Sequence, residues 1–147
     1  MGLFDKIRNS IAPKLDEQKG VMTIALAAVA ADGAVQQEEM LRLQTVCLLS
    51  PIFSNLRGGQ LETVVRDSAN QLGKLGPEAI SGAAAKLTPE LRETAFAFAV
   101  DMVLADGTIS GEEEKFIEDL AKKLQVSDKL AKEIIQVTAI RNRAPAN

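Results

Sequence analysis

Displaced by 74 residues, the chain lies on itself without a gap. Ala31-Asp32-Gly33 falls on Ala105-Asp106-Gly107, Val35 on Ile109, and Glu38-Glu39 on Glu112-Glu113. Val29 meets Val103, and Leu43 meets Ile117. Each copy reads as an apolar helix, the turn A-D-G-x-[V/I]-x-x-E-E, then an amphipathic helix. A chain duplicated in this way is confined to two related helix–turn–helix units, packed about a rough two-fold, with linking helices between residues 60 and 87.

Punctuation places the helices. Leu3, Phe4, Ile7 and Ile11 form the apolar stripe of a short N-terminal helix that Pro13 ends. Val21–Ala31 is apolar nearly all round, which predicts a buried helix. Glu38–Ser50 follows with Met40, Leu43 and Cys47 on one face, closed by Pro51. Gly58-Gly59 precedes a helix carrying Leu61, Val64, Val65 and Leu72, and an alanine-rich segment from Pro77 to Leu87 is predicted helical despite Gly82. Thr88, Pro89 and Glu90 form a helix start, Ser110 with Glu113 a capping box, and Ser127 the cap of a last helix. No segment alternates with period two for long enough to make a sheet. The expectation is an all-α fold, a compact bundle of about seven to eight helices.

Composition removes whole classes of function. The 147 residues suffice for one domain, and 46% of them are hydrophobic with only five aromatic, all Phe. A formal net charge of −3 gives no basic excess, so nucleic acid is not an expected partner. There is no histidine, and Cys47 is the single cysteine. Ser-His-Asp and Cys-His catalysis, CxxC sites and internal disulfides are thereby excluded. Only a metal-assisted or carboxylate mechanism would remain to an enzyme, and the chain is read as non-enzymatic. Cys47, on the Met40–Leu43 face, reads as a small core residue rather than a reactive thiol.

The longest apolar stretch, Val21–Ala31, is about half of the ~20 residues a spanning helix needs. It could imitate the apolar part of a signal peptide, but its pattern recurs internally at 95–105, which favours a core helix and a cytoplasmic protein. Residues 2–12 are amphipathic, with Asp5, Lys6, Arg8 and Asn9 opposing the apolar stripe. That stripe either docks on the bundle or lies on a membrane surface, peripherally at the inner membrane. Gly2 is not a myristoylation site, because Lys6 stands where Ser or Thr is required.

Around the second turn, VLADGTISGEEEKF, oxygen donors are dense enough to suggest a divalent cation, Ca²⁺ or Mg²⁺. An EF-hand register with Gly107 at position 6 puts Asp106 at 5 and Glu113 at 12. It also puts Met102 and Leu104 at positions 1 and 3, where carboxylates are needed. The first copy fails identically with Ala28 and Ala30. A turn explains the pattern as well: Gly107 ends a helix, Asp106 bonds nearby backbone, and the glutamates favour a helix N-terminus. Asp101 is what the turn leaves over, as the only charge between Thr94 and Ala105. A buried carboxylate there needs a cap, a cationic partner or a metal. The candidate cation ligands are Asp101, Asp106, Glu112 and Glu113, and more weakly Asp32, Glu38 and Glu39 of the first copy.

Taken together, AADGAVQQEE, LADGTISGEEE, the tail FIEDLAKKLQVSDKLAKEIIQV and the start MGLFDKI resemble the TerB-like tellurite-resistance family. The resemblance spans roughly residues 20–140. It implies an amphipathic N-terminal segment (1–18), a TerB-like all-helical domain (19–143) and a frayed tail (144–147). It also implies a role in tellurite resistance and related chemical stress, beside membrane-associated and metal-linked protein partners.

Overall fold

Of Val21–Ala31, read from the sequence as a buried helix, Val21–Val29 belongs to the central helix of the computed structural model, which describes residues 2–8, 12–31, 33 and 36–146, and Ala30 and Ala31 form the turn after it. The elements in chain order are α1 (Asp5–Arg8), α2 (Leu15–Val29), α3 (Gln37–Leu49), a 3-10 turn (Pro51–Phe53), α4 (Gln60–Leu75), α5 (Glu78–Ala85), α6 (Pro89–Val103), α7 (Gly111–Lys123) and α8 (Asp128–Arg141). Among the described residues the fold is all-α, with no strand.

Helix α2 begins six residues before the apolar run, inside the segment that the sequence assigns to an N-terminal extension. Its start is stabilised locally, since the Lys14 N–H donates to Glu17 Oε1 at 2.8 Å. The same stretch carries Gln18, fully buried, whose Nε2 donates to the Ile52 carbonyl (2.9 Å) and to Asn55 Oδ1 (2.6 Å). A buried amide must be bonded, and these two acceptors tie the start of α2 to the turn after α3.

Around α2 pack α6, α4 and α5, with α7 and α8 closing over α6. Small side chains make this possible: Ala25 and Ala28 on α2, and Ala95 and Ala99 on α6, are buried and let helix axes approach closely. Phe96, Met22, Ile24, Leu43, Leu120 and Leu124 fill the remaining space. The Phe53 and Phe98 rings meet edge to face with centroids 6.0 Å apart. At Gly20 an added Cβ would lie 3.2 Å from Leu87 Cδ2 and 3.3 Å from the Ala83 carbonyl, so glycine sets the α2–α5 distance.

The caps read from the sequence form. Thr88 accepts from Leu91 N–H, Ser127 from Leu130 N–H, and Ser110 and Glu113 exchange both bonds of a capping box. Helices α2 and α3, moved by 74 residues, share both start and end with α6 and α7. Their turns are nonetheless finished differently, since Gln36 provides no side-chain cap where Ser110 does.

Candidate functional site

The second acidic turn is built from the end of α6 outward. Leu104 N–H bonds the Val100 carbonyl, Gly107 N–H bonds the Leu104 carbonyl at 3.0 Å, and Gly107 takes φ +82°, which L residues avoid. Asp106 Oδ1 accepts from both the backbone N–H and the hydroxyl of Thr108, each at 3.0 Å. This is an Asx turn, in which the carboxylate replaces backbone partners lost at the helix end. Glu113 Oε1 accepts from Ser110 N–H at 3.0 Å. Glu112 is exposed in the first turn of α7, where the helix dipole favours its charge.

Asp101 stays apart from this turn. Its carboxylate is 16% exposed and faces Arg141 of α8, with Oδ1 3.7 Å from Nη2. That separation is an ion pair without a hydrogen bond, and Oδ1 accepts none among the described residues. Asp101 and the turn carboxylates therefore serve different neighbours. No three acidic or thiol side chains among the described residues come together where they could hold an ion. Among the described residues the candidate set Asp101, Asp106, Glu112 and Glu113 is not gathered into one such group.

The end of α8 covers the second turn. A Cβ on Gly107 would lie 2.8 Å from the Asn142 carbonyl oxygen and 3.2 Å from Ala144 Cβ. Asn142 is itself held from both sides: its Nδ2 donates to the Thr138 carbonyl, and its Oδ1 accepts from Arg42 Nη2 of α3 at 3.2 Å. In the first copy nothing among the described residues lies within 4 Å of where a Cβ on Gly33 (φ +87°) would stand. There Glu38 is exposed and Glu39 half-buried, while Asp32 and Val35, like Ile11 of the N-terminal stripe, lie outside the described residues.

Among the described residues, grooves open on the bundle, of which two bear on function. One, of about 330 Å³, lies between the end of α2, the α4–α5 turn and α7; Leu72, Pro77, Ile80 and Phe116 wall it, and Asp119 and Lys123 stand among its lining. The other, of about 320 Å³, is half polar and holds the Lys19–Asp67 ion pair (3.2 Å) beside Asp16 and Lys86. Ser68, buried beneath it, donates its hydroxyl to the Lys19 carbonyl. Periodicity places Leu72 and Phe116 on inward faces but cannot reveal that the α4–α5 turn, far from Phe116 in the chain, leaves space beside it. Cys47 is buried, and burial pushes its thiol up from 9.0 to about 12, which removes the thiolate at neutral pH. Leu3 and Phe4, just before α1, and Ile7 within it are 82%, 61% and 68% exposed. No helix among the described residues is long and apolar enough to cross a membrane.

These features define an all-helical bundle in which Asp106 and Glu113 build a turn and a cap, with an apolar groove on its surface. The chain belongs to the TerB family: the model described as "Tellurite resistance protein TerB" matches residues 18–136. A crystal structure titled "Protein of Unknown Function PG1108 from Porphyromonas gingivalis W83" shares the fold, with a TM-score of 0.63 and 16% identity over 94% of this chain and 98% of that one. No curated protein matches.

Proposed function

We propose that this chain is a non-enzymatic TerB module of tellurite resistance and chemical stress, acting by binding protein partners. The observation that carries the proposal is the apolar groove beside the end of α2, which combines hydrophobic walls with the opposite charges of Asp119 and Lys123. A concave apolar surface with a few polar groups suits a partner's side chains: the walls supply affinity and the charges fix orientation. The divalent cation suggested by the sequence does not carry this reading, since Asp106 Oδ1 and Glu113 Oε1 are each used in the turn and its cap.

The test is growth on tellurite. Deleting the gene from its host should sensitise the cells, and the wild-type chain should restore growth. The double variant Asp119→Lys/Lys123→Glu, altered only at exposed positions, should fold and fail to restore it. Unchanged growth after deletion, or full rescue by the double variant, would overturn the proposal.

A second reading, a membrane-surface adaptor, is favoured by one observation. Leu3 and Phe4 are 82% and 61% exposed, with Lys6 and Arg8 close by in the chain. Apolar side chains interleaved with cations suit the boundary between headgroups and acyl chains of an anionic bilayer.

A further inference from the structure

The half-polar groove of about 320 Å³ is walled by α2, α4 and α5, and its groups are sorted along its length. Gly20 of α2 stands against Ala83 and Leu87, while Ala27, further along α2, shares the apolar groove with Ile80 and Pro77. Helices α2 and α5 therefore run in opposite directions, which brings Lys86 to the end occupied by Asp16 and Lys19. Asp67 of α4 is held at the same end, its Oδ2 3.2 Å from Lys19 Nζ. Leu75, about two turns after Asp67, and Ala79, about two turns before Lys86, form the other end. One end carries both signs of charge, and the other is apolar.

Between them the side chains of the floor accept hydrogen bonds and donate none. Thr23 and Ser68 are 5% and 2% exposed. The Thr23 hydroxyl donates to the Lys19 carbonyl at 2.8 Å, and the Ser68 hydroxyl to the same oxygen at 3.2 Å. A hydroxyl has one hydrogen, so both Oγ atoms keep only lone pairs for whatever enters. An anion finds no donor on this floor, and a bare metal ion would meet the ammonium of Lys19 beside Asp67. Gly82 keeps the space open. Glycine weakens a helix interior, and packing does not require it here, since an added Cβ would meet nothing among the described residues within 4 Å.

We propose that this groove binds a free α-amino acid with an aliphatic side chain. The two charges of such a molecule sit on neighbouring groups, so its receptor must present both signs at one end and apolar surface beyond them. That is the order found here. The ammonium, with three hydrogens to donate, suits the Thr23 and Ser68 oxygens and the carboxylates of Asp16 and Asp67. Lys86 takes the carboxylate, and the side chain extends along Leu75 and Ala79. Asp16 and Lys86 are exposed and make no ion pair among the described residues, so neither has a partner to leave. The volume is near the lower end of the ~300–1,000 Å³ of small-molecule sites, which suits a ligand of about nine non-hydrogen atoms such as leucine.

Isothermal titration calorimetry of the full chain with L-leucine tests this, beside 3-methylbutylamine and 4-methylpentanoate, the same skeleton lacking one charge each. Leucine should bind saturably with a Kd of roughly 0.01–1 mM, and each single-charge analogue at least about tenfold more weakly. Lys86→Ala should weaken leucine at least about tenfold. Gly82→Leu, which fills the groove from its wall, should abolish binding. Both positions are exposed, so Tm should hold. No saturable binding of leucine, valine or alanine up to about 10 mM would overturn the proposal. So would an amine or acid that binds as tightly as leucine, or leucine binding unaltered in both variants.

Discussion

Arg141 Nη2 lies 3.7 Å from Asp101 Oδ1, so the lone charge of an otherwise apolar helical stretch is answered from the last turn of the last helix. The arginine is 70% exposed and the aspartate 16%, and this asymmetry governs the energetics. Taking the arginine away leaves a largely desolvated carboxylate, whereas taking the aspartate away leaves a cation already in water. Arg141→Ala should cost about 1–2 kcal/mol, and Asp101→Asn less than about 1 kcal/mol. The double variant should be less destabilised than the two single costs combined. Urea titrations of the four proteins measure the cycle.

The two glycines of the acidic turns should differ. Both have positive φ, so Gly33→Ala should cost about 1–2 kcal/mol through backbone strain alone. Gly107→Ala adds a Cβ 2.8 Å from a backbone oxygen of the α8 end, and should cost at least about 1 kcal/mol more. Removing residues 142–147 should bring the two penalties together. Urea titrations of each variant, in full-length and shortened chains, check the comparison.

Cys47 should be silent towards thiol reagents while the chain is folded. Its protonated form is favoured by burial, with the pKa raised from 9.0 to about 12. The sign follows: below pH 9 the thiol is neutral in both states and its contribution is intact, while from pH 9 towards 12 only the unfolded chain ionises and stability falls. Labelling at pH 8 should appear only with unfolding. Cys47→Ala should flatten part of the decline in stability between pH 9 and 12.

The N-terminal arm should be dispensable for folding and required for lipid binding. Deleting residues 2–8 leaves α2 and its Glu17 cap intact, so Tm should not change. On the adaptor reading, sedimentation with vesicles containing about 30% anionic lipid should carry down the full chain and not the truncated one, with binding weakened by salt.

What could be read from the sequence was what is locally encoded. Thr88, Ser110 and Ser127 marked helix starts because their partners lie three residues on, and α2, α3, α6 and α7 followed from the repeated pattern. Gln18 could not be assigned a role, since its acceptors at Ile52 and Asn55 are brought to it only by the fold. The start of α2 at Leu15 was missed for a related reason: Glu17 caps through a backbone N–H of Lys14, a residue type that signals no cap. Asp101 could be recognised as needing a partner, but Arg141 lies too far along the chain to be named. One-dimensional density of carboxylates around the second turn says nothing about where each oxygen points, so the Asx turn of Asp106 could not be told from a ligand in the sequence.

By the bonds that Asp106 and Glu113 make, the second acidic turn is architecture. Thermal denaturation of the wild type and Asp106→Ala, each with and without millimolar Ca²⁺ or Mg²⁺, tests it most directly. Asp106→Ala should lose about 1 kcal/mol with the Asx turn, by the same amount in every buffer, and neither ion should raise the Tm of the wild type. A saturable, ion-dependent rise in Tm that Asp106→Ala abolishes would contradict it.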